Sequence, residues 1–80
     1  MSRSIRADAT LPDWRPLQQR LAEMECADFM WIYQEGDVHF YKHIITRRYL
    51  VLDGAGQCFR WVNGELSTVD FELEYLRVTG

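Results

Sequence analysis

Arg47-Arg48-Tyr49-Leu50-Val51-Leu52-Asp53-Gly54-Ala55-Gly56-Gln57-Cys58-Phe59-Arg60-Trp61-Val62 is the stretch that decides the fold. Two runs rich in aliphatic and aromatic residues flank a short segment carrying two glycines and an aspartate. Such runs suit a pleated, half-buried backbone, and Asp and Gly suit the reversal between them. The reading is strand Arg48–Leu52, hairpin loop Asp53–Gly56 and strand Gln57–Val62.

The pattern extends in both directions. Downstream, Asn63-Gly64 is the strongest short hairpin signal in the chain and predicts a type I′ turn into a strand over Glu65–Val69. Upstream, Val38–Ile45 reads as a strand that turns at Thr46-Arg47. Gln34-Glu35-Gly36-Asp37 reads as a turn, and Phe29–Tyr33 as the first strand. The sum is an antiparallel β-meander of four to five strands.

The flanks add helix. Thr10 to Glu25 carries Trp14, Leu17, Leu21 and Met24 at spacings of three and four, one apolar stripe. Thr10-Leu11-Pro12-Asp13 has the shape of a capping box, and Pro12 and Pro16 fall where a first turn tolerates proline. At the other end, Ser67-Thr68-Val69-Asp70 again resembles a capping box. The run Phe71–Arg77 then has acids early and a base late, as the helix dipole favours. The same run alternates Phe71, Leu73 and Tyr75 against Glu72 and Glu74, so a strand is the alternative. Residues 1–9 show no periodicity and read as a flexible arm, leaving residues 10–80 as one domain. The expected class is α+β: an N-terminal helix packed on a curved antiparallel meander, closed by a short C-terminal helix or strand.

Composition bounds the remainder. Eighty residues, 48 % hydrophobic and 26 % charged, make one small folded domain with a limited core. Nine basic against twelve acidic residues give a net charge of −3, which argues against coating nucleic acid by charge alone. Cys26 and Cys58 are too few for a disulfide scaffold and read as reduced packing thiols in a cytoplasmic protein. No apolar run spans a membrane and no signal peptide is evident.

Little in the sequence points to catalysis. On a strand, His39 and His43 share a face about 13 Å apart, too far for one metal ion. No metal or cofactor is therefore expected. Asp53-Gly54-Ala55-Gly56 lacks the lysine and helix start of a phosphate loop. Glu72 and Glu74 read as a solvated acidic face. Cys58 with His43 is the one nucleophile–base pair worth testing, and in a plain meander another strand lies between them.

The strands themselves are informative because they do not alternate cleanly. Phe29, Trp31 and Tyr33 oppose Met30 and Ile32; Tyr49 and Val51 oppose Leu50 and Leu52; Phe59 and Trp61 oppose Cys58 and Val62. Both sheet faces are partly apolar, and one helix covers one face. The second face must meet the C-terminal segment, curl into a half-barrel, or meet another chain. Charge is uneven as well: Lys42, Arg47, Arg48 and Arg60 stand against Asp53 alone between residues 42 and 60. The expectation is a small non-catalytic binding protein, of regulator or inhibitor type, that docks on a protein partner or a second copy of itself. The candidate anchors are Tyr41, His43, Arg48, Tyr49, Arg60 and Trp61. The alternative is a curved-sheet module that binds nucleic acid by stacking and phosphate contacts. An enzyme using Cys58 or His43 is third.

Overall fold

The structure is a computed structural model that describes residues 11–80. The arm expected over residues 1–9, and Thr10 of the first capping box, lie outside the described residues. The elements in order are α1 (Arg15–Gln18), α2 (Glu23–Cys26), β1 (Phe29–Glu35), β2 (Val38–His43), β3 (Tyr49–Asp53), β4 (Cys58–Val62), β5 (Glu65–Val69) and α3 (Phe71–Thr79). The five strands form one antiparallel sheet in sequence order. The class is α+β, as the residue patterns predict. Asn63 and Gly64 both take positive φ, 54° and 84°, which is the type I′ geometry that these two residue types favour.

The single N-terminal helix expected over Thr10–Glu25 is corrected to two one-turn helices. The chain leaves α1 after Gln18 and is extended at Ala22, where Glu25 reaches back to accept the Ala22 N–H at 2.9 Å. Residues 19–22 are good helix formers, so local propensity does not cause the break. Tertiary contacts do. Gln19 donates to the Gly54 carbonyl at 2.9 Å, and the Arg20 guanidinium sits 4.5 Å from the Phe71 ring centroid. The break also shifts the phase of the apolar stripe. Leu17 is buried and Leu21 partly so, but Met24 is 82 % exposed and Cys26 is buried in its stead.

β1 carries a second correction. Its register against β2 slips between Trp31 and Tyr33, so Ile32 is the extra residue of a β-bulge. The slip moves Tyr33 away from Phe29 and Trp31 and onto the opposite face, where it pairs with Phe40. β2 ends at His43 rather than Ile45, because Ile44 to Arg47 form a corner. There the Ile44 N–H donates to the Asp28 carbonyl and Arg47 takes φ of 68°.

The C-terminal segment is helical. Asp70, not Ser67, is its cap, accepting the Leu73 N–H at 3.1 Å. The buried residues of α3 are Phe71, Glu74 and Val78, at helical spacing. Thr46 Oγ1 and an Arg48 guanidinium nitrogen donate to the carbonyls of Val78 and Arg77, tying the end of α3 to the β2–β3 corner.

The core follows from the register. Leu17, Cys26, Phe29, Tyr41, Leu50, Leu52, Cys58, Phe71 and Val78 form one buried cluster. Its strand residues all belong to one face of the sheet, since Tyr41 pairs with Leu50 and Leu52 with Cys58. Both helical segments therefore pack on the same face, α1 and α3 alike against β3. This answers the question that the non-alternating strands pose: the C-terminal segment does not cover the second face.

Candidate functional site

The face without helices carries Met30, Tyr33, Phe40, Lys42, Tyr49, Val51, Phe59 and Trp61, placed together by the cross-strand pairs Tyr33↔Phe40, Phe40↔Val51, Lys42↔Tyr49 and Val51↔Phe59. Phe40 and Val51 are buried although, among the described residues, no helix lies over them. Neighbouring rings shield them. Tyr33 stacks on Phe40 with centroids 4.3 Å apart and planes 2° from parallel. A shallow cavity of about 260 Å³ lies among Tyr33, Phe40, Tyr49 and Trp61. Tyr33 and Tyr49 are exposed, and Trp61 is 55 % exposed. Lys42 Nζ stands 5.6 Å from the Tyr49 centroid, within cation–π range.

Beside this face the sheet opens. β3 and β4 register at only two pairs, Val51↔Phe59 and Leu52↔Cys58, whereas β4 and β5 register at five. Past those pairs the two strands part, and a cavity of about 340 Å³ occupies the wedge. It is lined by Arg48, Arg60, Arg77, Tyr49, Phe59 and Trp61. The rings come from the open face; Arg60 pairs with Ser67 on the helix-covered side, and Arg77 comes from α3.

One carboxylate organises the arginines. Glu74, read from sequence as part of a solvated acidic face, is 3 % exposed. Arg77 donates to it twice, from Nε at 3.2 Å and Nη2 at 2.6 Å, and Arg60 Nε lies 3.8 Å away. The bond to Glu74 holds the Arg77 guanidinium firmly protonated. Arg48 in turn donates to the Arg77 carbonyl.

The six predicted anchors divide accordingly. Arg48, Tyr49, Arg60 and Trp61 are brought together around the wedge. Tyr41 and His43 are not. They sit on the helix-covered face at 0 % and 6 % exposure. Tyr41 donates its hydroxyl to the Asp13 carbonyl at 2.7 Å, and burial drives its pKa well above the ordinary phenol range. His43 Nδ1 accepts the Thr46 N–H at 3.1 Å, with its ring edge-on to Phe29. Both residues build the core and its corner. Sequence reasoning missed Arg77, Phe40 and Tyr33. An i, i+3 Glu74–Arg77 spacing was readable, but the burial of Glu74 depends on how α3 packs.

Other candidate chemistry is not assembled. Cys58 and His43 are separated by β3, and Cys58 pairs with Leu52 while His43 lies at the far end of β2. Burial, with the Glu74 charge adding to it, pushes the Cys58 thiol up to about 11, which keeps it protonated. Among the described residues, no three His, Cys, Asp or Glu side chains converge as a metal site would require. A further cavity, about 510 Å³, includes the polar side chains of Asp13, Arg15, Asp37 and His39. Much of its polar capacity is spent internally. Arg15 binds Asp13 and pulls its pKa to about 2, Asp37 accepts the Gly54 N–H, and His39 accepts from Trp31 Nε1. Among the described residues, no helix is long and apolar enough to cross a membrane.

No protein-family model, curated protein or solved structure matches this chain.

Proposed function

We propose that this protein is a small non-catalytic binding domain that docks on a protein partner through its open sheet face. One observation carries the reading: among the described residues all helices pack on one side, leaving Phe40 and Val51 on the other, shielded by the rings of Tyr33, Tyr49 and Trp61. A contiguous apolar patch of this kind marks an interaction surface, and exposed Tyr and Trp rimmed by Arg are the side chains that most often anchor one. Tyr49 and Trp61 supply ring area, and Arg48 and Arg60 supply charge at the margin. A cytoplasmic site of action is part of the proposal.

The test is photo-crosslinking in the native cell, with a benzoylphenylalanine placed at Tyr33, at Trp61, or at the exposed Leu73 on the helical side as control. The reading expects one nuclease-resistant product with a second protein from positions 33 and 61, and none from 73. Products from position 73 alone would overturn it. A product of twice the chain mass would replace the partner with a second copy of the chain.

A second reading, binding of single-stranded nucleic acid, is favoured by the three arginines beside two exposed rings. It predicts nuclease-sensitive products and an affinity that falls steeply with salt, with a slope of roughly −0.7 per phosphate contacted. The overall charge of −3 weighs against it.

A further inference from the structure

We infer that the wedge between β3 and β4 binds a phosphate monoester carried on an aromatic ring, a phosphotyrosine-type side chain of the docking partner. This rests on the docking reading above and names what the partner presents.

The first support is charge. Arg48, Arg60 and Arg77 line one cavity, and among the described residues the single carboxylate bound to them is Glu74. Two positive charges are left over. A phosphate monoester carries close to two negative charges at pH 7, whereas an aspartate or glutamate carries one. The dianion therefore matches the surplus and the carboxylate does not.

Donor capacity is the second support. Each guanidinium has five N–H donors. Arg77 spends Nε and Nη2 on Glu74, Arg48 spends Nη1 on the Arg77 carbonyl, and Arg60 stands at ion-pair distance only. Free donors remain on all three, held in place by the buried carboxylate and by the end of α3. Guanidinium clusters fixed in this way suit the fork geometry of phosphate oxygens.

Shape is the third support. A cavity of about 340 Å³ is larger than a phosphate group needs, and its remaining walls are Tyr49, Val51, Phe59 and Trp61. An aromatic ring fills such a space by offset or edge-on packing.

The test is an NMR titration of the isotope-labelled chain with phenyl phosphate, phenylacetate, inorganic phosphate and adenosine 5′-monophosphate. Phenyl phosphate should shift the amides of Tyr49 to Val51 and Phe59 to Trp61 saturably. It should bind at least tenfold tighter than phenylacetate or inorganic phosphate, and tighter than the nucleotide. The double variant R48Q/R60Q should lose tenfold or more. R15Q, which removes one charge at the opposite end, should stay within twofold. Arg77 is kept because its loss strands the buried Glu74. Arg48 and Arg60 are exposed, and an unchanged spectrum of the unliganded variant confirms its fold. Equal binding of phenylacetate, equal loss in R15Q, absence of localised shifts, or tighter binding of the nucleotide each overturns the inference. Repeating the Trp61 crosslink in R48Q/R60Q separates the two proposals. An undiminished protein product shows that docking stands and only the phosphate inference has fallen.

Discussion

Replacing Glu74 by glutamine should destabilise the domain by about 2 kcal/mol. Two bonds to Arg77 are lost as charge-assisted contacts, the shorter at 2.6 Å. Hydrogen bonds to charged groups contribute roughly 1.5–3 kcal/mol each, and breaking a fully buried ion pair costs roughly 3–5 kcal/mol. The upper figures do not apply here. The Arg77 and Arg60 side chains are 42 % and 46 % exposed, so both recover water when the carboxylate goes. The Arg60 contribution is that of a surface pair, under about 1 kcal/mol. For an 80-residue domain, whose total stability is of order 4–12 kcal/mol, a loss of about 2 kcal/mol is a large fraction and corresponds to a fall in Tm of roughly 8–16 °C. Urea denaturation at pH 7 measures it, with the m-value unchanged if only the native contacts are altered. A double-mutant cycle then locates the energy. Glu74 should couple to Arg77 by more than about 1 kcal/mol and to Arg60 by less than about 0.5 kcal/mol. A neutral or stabilising E74Q, or coupling concentrated in Arg60, would refute the reasoning that Glu74 holds the arginine wedge through Arg77.

Three further outcomes follow from the geometry. Arg47 sits at φ of 68°, where a β-carbon is strained, so Arg47→Gly should stabilise the fold by up to about 1 kcal/mol despite removing a side chain, read as a rise in Tm. Tyr41→Phe should cost about 1 kcal/mol, because the Asp13 carbonyl loses a buried donor, while phenyl phosphate affinity stays unchanged. The thiol of Cys58 is pushed from an ordinary 9.0 up to about 11 in the folded chain. A folded-state pKa raised in this way leaves stability whole below pH 9 and removes it as pH rises towards 11. The slope is at most about 1.4 kcal/mol per pH unit. Tyr41, also raised by burial, adds to the fall above pH 10. Urea titrations from pH 7 to 11 check this, and the Cys58→Ala variant should show a shallower decline.

The meander was legible because its signals are local. Asn63-Gly64, Asp53 to Gly56 and the strand runs each specify their own backbone, and they recur in the structure in the expected order. The helix break at residues 19–22 was not legible. Gln19, Arg20, Leu21 and Ala22 all favour helix, and the bonds that override them reach Gly54 and Phe71, distant in sequence. The bulge at Ile32 was equally hidden: a one-residue slip moves every later side chain to the other face, so Tyr33 changed sides with no change in composition. Of the candidate site, Arg48, Tyr49, Arg60 and Trp61 were legible as a basic and aromatic cluster. Tyr41 and His43 were assigned to it because residue type alone does not reveal the face. Glu74 was misread for a related reason, since its burial is set by Phe71 and Val78 packing on either side of it.

The two sheet faces divide the work of the domain, and the division explains why so much aromatic surface stays in solvent. A chain of this length has apolar material for about one core. Here the three short helices of the described residues all close the same face, so Tyr41, Leu50 and Leu52 sit under cover while Tyr49 and Trp61, on the same strands or the next one, do not. Substitutions on the covered face should therefore register in stability, and substitutions of Trp61 or Tyr49 in binding. Glu74 belongs to both. It is buried with the core, yet its bond to Arg77 aligns the arginines at the mouth of the wedge. Its placement makes the geometry of the charged rim depend on the packing of α3. The E74Q variant should therefore be read in stability, whereas R48Q/R60Q should lose phenyl phosphate affinity out of proportion to the one exposed Arg48 bond to α3 that it gives up.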